Sequence, residues 1–333
     1  MTVKLFFDFL YRAIIQGIPL LYGCSGEILT ERSGHLNLGI PGIMYVGAMS
    51  GVIGAYFYEH GRTQINPTTA LLLTLGCSIL GSLLMGLIYC FLTITLRANQ
   101  NVTGLALTTF GVGFGNFFGG SLIRLAKTEG ASVQVSETSK VFKKTLSLEG
   151  TPAWFRDYVG RILFTYSFFA YLAIAIALIL AYVLRKTRVG LHLRAVGENP
   201  ATADAAGINV NRYKYVATSI GSVIAGLGGL YYIMDYADGV WSNNGFGDRG
   251  WLAIALVIFS VWRPAIAIAG SFFFGGLYII HNYLPGMTMG SQELIKMTPY
   301  VVTVLILILI STFRKKETQP PAHLGLSYFR EER

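Results

Sequence analysis

Hydrophobic residues in this chain come in long blocks separated by short polar joints, the layout of helices that cross a bilayer and not of amphipathic elements covering a soluble core. The blocks run over residues 5–23, on to residue 58 after a polar interruption, and then over 69–96, 102–122, 163–184, 215–236, 246–262, 264–283 and 297–313. The pattern predicts an all-α fold: a polytopic transmembrane helical bundle of about 8–10 spans with broken helices. The first block keeps Asp8 and Arg12 and lacks a small-residue cleavage pattern, so it reads as a retained span and not as a signal peptide.

Two interruptions stand out, residues 33–42 and 242–250, both rich in glycine and asparagine and both beside apolar blocks. Breaks of this kind in the two halves of a chain mark midplane pathways in transporters. Gly111, Gly115 and Gly119 recur every fourth residue and lay a smooth stripe along one helix face. That stripe serves either close helix contact or the wall of a narrow pathway.

Composition agrees with the pattern: 53% of residues are hydrophobic and only 13% charged, with a mean hydropathy of +0.53. The formal net charge is +9, but the basic residues sit at block ends and in joints, without a basic stripe interleaved with aromatics. Nucleic acid is therefore not an expected partner, and membrane lipid is. Cys24, Cys77 and Cys90 lie in apolar surroundings without metal-type spacing and read as reduced packing residues.

Charge also orients the chain. The joint at residues 185–214 carries six Lys/Arg against two Asp/Glu, and the tail from residue 314 carries five against three. Both belong on the cytoplasmic side, so an even number of crossings separates them. The chain divides accordingly into a transmembrane domain, 1–313, with a cytoplasmic joint at 185–214 and an external loop at 124–161, and a cytoplasmic tail, 314–333. Nine crossings place the amino terminus outside; a re-entrant half-span at the first interruption would return it to the cytoplasm.

Within the cytoplasmic joint, Asn199 is a good N-cap, Pro200 fits the first helical position, residues 201–206 favour helix, and Gly207 suits the position after the C-cap. A helix this short is not stable alone. Its small surface suits a groove on another protein.

Catalytic motifs are missing. There is no H-E-x-x-H, no G-x-S-x-G and no Gly-Lys pair, so the chain has no P-loop of its own. His35, His60, His192, His281 and His323 are scattered and form no metal set. No row of intramembrane acids or histidines forms a proton relay, which weighs against a stand-alone secondary carrier or channel and calls for an outside energy source.

Two segments, LRAVGENPATADAAGIN at 193–209 and GEILTERSGHLNLG at 26–39, closely resemble permease subunits of ABC importers in the branched-chain amino acid and simple-sugar permease superfamily, nearest its nucleoside-uptake branch. DRGWLAIALVIFSVWRP, from Asp248 on, and the tail 321–329 also resemble that family, so the likeness spans nearly the whole chain. It implies a non-enzymatic, multi-pass subunit of the cell (plasma or inner) membrane. Its partners would be ABC ATP-binding subunits, a second permease subunit and an extracellular substrate-binding protein. The chain itself would bind no cofactor; ATP-Mg would sit on the partner subunits.

By the same resemblance, Glu198, Asn199, Pro200, Ala203, Asp204 and Gly207 would couple to the ATPase. Nucleosides are the expected cargo, with simple sugars or branched-chain amino acids as alternatives. Pro41 stands where the family often has an acid, and it would break the helix there. Polar or aromatic residues beside broken apolar segments, His35, Asn37, Asn116, Tyr231, Tyr232 and Asn243, are the candidates for contact with cargo.

Overall fold

A computed structural model describes residues 3–62, 64–125, 132–145, 160–284, 288–313 and 319–329. Among them, eight helices are long and apolar enough to cross a membrane. In chain order the elements are α1 (Val3–Glu31), α2 (Ile40–Glu59), α3 (Pro67–Cys90, extended by a π-turn to Thr95), α4 (Gln100–Leu125), β1 (Ser132–Gln134), α5 (Ser136–Phe142) and α6 (Arg161–Phe164). They continue with α7 (Phe168–Lys186), α8 (Arg188–Glu198), α9 (Pro200–Ala205), α10 (Val210–Tyr231, with a π-turn to Tyr236), β2 (Val240–Ser242), α11 (Arg249–Phe259), α12 (Pro264–Ile279), α13 (Met289–Lys296) and α14 (Thr298–Phe313).

α2 and α10 form the interior, and α1, α3, α4, α7, α11 and α12 surround them. Glycine makes this packing possible, since lipid offers no hydrophobic drive and helices must gain contact by close approach. A Cβ on Gly47 would sit 2.6 Å from the Gly226 Cα, and one on Gly111 would sit 2.5 Å from the Gly42 Cα. The stripe on α4 is thus consumed by contact: Gly115 lies under the Tyr45 ring and Gly119 under the Trp241 indole.

Sequence and structure part at three places. α1 runs unbroken through the polar turn Glu27–Glu31, and the break is confined to residues 32–39. The helix of the block at 246–262 is only α11, 11 residues long, or about 16 Å at 1.5 Å per residue. Turns with Asn244 and Gly247 before it and Val261 and Trp262 after it, all at positive φ, complete that crossing. Arg249, the first residue of α11, is buried. β1 and β2 pair antiparallel, Val133 opposite Trp241, a short ribbon that the all-helical pattern did not predict. Of the loop at 124–161, residues 126–131 and 146–159, and with them Pro152, Trp154 and Phe155, lie outside the described residues.

Contacts bring the joint at 185–214 and the tail together. The His323 amide donates to the Gly197 carbonyl at 3.0 Å, and the Gln100 amide Nε2 donates to the Leu326 carbonyl at 3.2 Å, so tail, α8 and the start of α4 share one end of the bundle. At the opposite end Arg161 pairs with Asp8 at 2.5 Å, which places the start of α1 with α6. Alternating crossings from α1 to α14 meet both conditions.

Candidate functional site

The joint between α7 and α10 folds as a two-helix module. Thr187 caps α8 by accepting the Gly190 amide, and Gly190 lets α8 fold back tightly on the last turn of α7. Asn199 then breaks the helix and caps the next one, its Oδ1 accepting the Thr202 amide at 3.0 Å. Pro200 takes the first position of α9, where a missing N–H costs nothing.

α9 ends on Gly207 at φ +83°. The Gly207 amide donates to the Asp204 carbonyl and the Ile208 amide to the Ala203 carbonyl, at 2.9 and 3.0 Å. This is a Schellman ending, and Val196, Ala203 and Val210 pack beneath it with Ile208. Six predicted coupling residues therefore fall in one rigid piece: Pro200 and Ala203 are buried, while Glu198, Asn199 and Gly207 are exposed. The tail clasps the same piece, with the Tyr328 hydroxyl donating to Asp204 Oδ2 at 3.0 Å and the Ala322 amide reaching Glu198 Oε2 at 3.4 Å.

Beneath this module lies the first chain break. Gly197 rests directly on the Arg32 carbonyl, with room for no side chain. Arg32 Nε and Nη2 both donate to the Trp262 carbonyl, at 3.1 and 3.0 Å, and the Trp262 indole N–H donates to Glu31. Val261 and Trp262 both have φ of +53°, a pair of strained residues of which the β-branched Val261 is the costlier. α8, the end of α1 and the end of α11 are thus tied at one junction.

The six residues proposed from sequence to contact cargo divide among three places. His35 is fully buried in the break, bonded through Nδ1 to Thr218 and through Nε2 to Thr93, each at 2.8 Å. Burial, with Lys214 facing it, pushes its pKa down to about 3, so the ring is neutral. Asn37 is also buried; its amide donates to Glu27 Oε1 at 2.9 Å and its Oδ1 accepts from Gly39 at 2.9 Å. Tyr231 is enclosed between Tyr22 and Phe169.

Asn116, Tyr232 and Asn243 meet nearer the opposite end of the bundle. The Tyr45 hydroxyl donates to Asn116 Oδ1 at 3.0 Å, and Asn116 Nδ2 donates to Asn244 Oδ1 at 2.9 Å. Asn243 is exposed beside this pair. The Tyr232 hydroxyl donates to the Gly245 carbonyl at 2.7 Å. The Arg249 guanidinium lies 4.3 Å from the Tyr232 ring centroid and holds the Phe246 carbonyl at 2.7 Å. The result is a shelf of amides and aromatic rings, formed by the loop before α11 and the middle of α4.

Sequence reasoning passed over Glu27, Glu31, Arg32, Trp262 and Arg249. The i, i+4 spacing of Glu27 and Glu31 was a usable signal, because two acids on one face of an otherwise apolar helix require buried partners. Among the described residues no group of three or more His, Cys, Asp or Glu side chains forms a metal site.

Comparison with known proteins agrees with this architecture. The nucleoside ABC transporter permease protein NupC of Lactococcus lactis is 32% identical over 95% of this chain and 95% of its own. The guanosine ABC transporter permease protein NupQ of Bacillus subtilis is 30% identical over 88% of this chain and 89% of its own. A Haloferax volcanii protein provisionally named as the glucose ABC transporter permease TsgC13 is 32% identical over 80% and 74%. The profile of the family described as branched-chain amino acid transport system/permease component matches residues 9–311, and the chain belongs to that family of membrane-spanning, non-enzymatic transport subunits.

Proposed function

We propose that the chain is a permease subunit of an ATP-driven importer of nucleosides. The observation that carries this reading is the end-to-end similarity to two permeases named for nucleoside and guanosine transport, in different organisms. The exposed amides of Asn243 and Asn244, with the half-buried Asn116 beside them, support it, because side-chain amides are groups that hydrogen-bond to a nucleobase.

Coupling follows from the junction. ATP-binding subunits, which hold ATP-Mg, dock on Glu198–Gly207 and move α8 and α9 as one piece. Gly197 presses on Arg32, and Arg32 and Glu31 hold Trp262, so the motion enters α11. The other end of α11 carries Arg249 and the shelf. A displacement on the cytoplasmic side thereby alters the outward cargo contacts without a flexible joint between them. A second permease subunit completes the pathway, and an extracellular substrate-binding protein delivers the cargo.

The test is reconstitution of the chain with ATP-binding subunits, second permease and binding protein in liposomes, with labelled guanosine, glucose and leucine supplied in turn. Guanosine uptake that requires ATP is the expected outcome. Uptake of glucose in preference to guanosine would move the chain to the sugar branch. Uptake by the purified chain alone, without ATP, would make it a secondary carrier.

A further inference from the structure

An open groove of about 900 Å³ lies between α7, α8, the end of α9 and α10, away from the shelf and meeting the proposed coupling surface only at Gly207. Its floor is apolar and buried, formed by Leu29, Leu193 and Ala217. Its flanks, Val189, Val216 and Ile220, are about half exposed, at 57%, 49% and 48%. Polar groups gather at one end only: Arg212 and Asn209 at the start of α10, and the His192–Tyr213 pair, bonded at 2.8 Å.

The occupant must satisfy both ends. Ile220 stands ten residues into α10, about 15 Å from its cytoplasmic start, at the depth of acyl chains, whereas Arg212 stands at the level of headgroups. Ile179 and Tyr182, on the lipid side of α7, are 60% and 64% exposed, so the groove opens onto the bilayer. The turn from α7 to α8 adds Arg185, Lys186 and Arg188 at the polar end, all exposed. Basic pockets between spans on the cytoplasmic side select anionic headgroups.

We infer that this groove binds one anionic phospholipid of the cytoplasmic leaflet, its acyl chain along Val216 and Ile220 and its phosphate on Arg212. The lipid fills the angle between α7 and α8, directly behind the residues that end α9. It braces the coupling module against the membrane, so the module's displacement depends on the leaflet it rests on. This inference stands on the groove alone and is independent of which cargo is carried.

The delipidated full-length chain is titrated with phosphatidylglycerol or phosphatidylcholine of identical acyl chains and read by native mass spectrometry. Phosphatidylglycerol is expected to bind more tightly. Arg212→Gln, at an exposed position where folding is not at stake, is expected to lower phosphatidylglycerol affinity about fivefold, the worth of one basic residue at an anionic surface, and to leave phosphatidylcholine unchanged. Val216→Trp fills the groove and weakens both. Lys140→Gln in α5, at the other end of the bundle, changes neither.

Equal binding of the two lipids by the wild type, or no effect of Arg212→Gln, overturns the inference. A photocrosslinker at position 216 in the assembled importer gives lipid adducts if it holds. Adducts to another subunit alone assign the groove to a protein interface and also overturn it.

Discussion

Gly197→Ala tests the coupling route at its narrowest point. The added Cβ would overlap the Arg32 carbonyl oxygen and stand 3.1 Å from the Gly34 amide nitrogen and 3.2 Å from the Arg32 carbonyl carbon. These are backbone atoms, so no side chain can swing aside, and α8 must lift from the break. Overpacking at a close contact costs about 1–3 kcal/mol. The same lift stretches the 3.0 Å bond from the His323 amide to the Gly197 carbonyl, worth about 0.5–1.5 kcal/mol. Together they give about 1.5–4.5 kcal/mol against the tied junction, or roughly ten- to two-thousand-fold in its population. The assay is ATP-dependent guanosine uptake and cargo-stimulated ATPase activity of the assembled importer, with Gly113→Ala as control, since a Cβ on Gly113 meets nothing within 4 Å. Uptake is expected to fall at least tenfold while unstimulated ATP hydrolysis persists. If Gly197→Ala transports and stimulates like wild type, α8 does not act through Arg32.

Asn199→Ala removes the cap on the Thr202 amide and should weaken α9 by about 1 kcal/mol, seen as roughly fivefold weaker binding of the ATP-binding subunits in pull-down titration. Gly115→Leu drives a side chain into the Tyr45 ring and should lower the melting temperature of the purified chain through a loss of about 1–3 kcal/mol; an unchanged melt would mean that α4 does not pack there. His35 also gives a pH dependence. Its folded pKa of about 3 lies below the unfolded value, so its stabilisation is complete above about pH 6.5 and is lost as pH falls from there toward 3. At pH 5 the loss is about 2 kcal/mol, and a His35→Gln variant should show a correspondingly smaller drop in melting temperature between pH 7.5 and pH 5. Asn116→Ala should raise the KM for guanosine uptake with little change in maximal rate, because it removes a hydrogen-bonding group from the shelf without touching the junction.

The two-helix fold of the joint between α7 and α10 was legible because its determinants are local. The preferences of Asn199, Pro200 and Gly207 act within a few residues of one another, and the structure realises cap, first turn and Schellman ending in that order. Span positions were legible for the same reason, since hydropathy is summed along the chain. The short length of α11 was not, because Val261 and Trp262 continue the apolar block past Phe259 and only their positive φ ends the helix there. The role of Arg249 was hidden too, because its partners Tyr232, Phe246 and Tyr278 come from three segments. The proposed pathway set mixed three locations since Asn and Tyr beside a broken helix look alike in sequence, whether they face an opening like Asn116 or close a packed interior like Tyr231.

α11 is the crossing on which these local and long-range features converge. At about 16 Å it is too short to span by itself, so turns must complete the crossing at both ends, and turns within a membrane survive only where protein satisfies their backbone. At the cytoplasmic end that service comes from Arg32, which takes the Trp262 carbonyl, with Glu31 taking the indole N–H. At the outward end Arg249 takes the Phe246 carbonyl and Tyr232 the Gly245 carbonyl. An ordinary lipid-exposed span slides past its neighbours at little cost, but α11 cannot shift at one end without exchanging hydrogen bonds at both. Its buried face of Leu252, Ala253, Leu256 and Val257 adds packing to these bonds, and buried polar groups left unpaired would add a further cost to any shift. The short helix, the double positive φ beside it and the buried arginine are therefore one arrangement, which ties the α8–α9 module to the shelf of Asn116 and Tyr232.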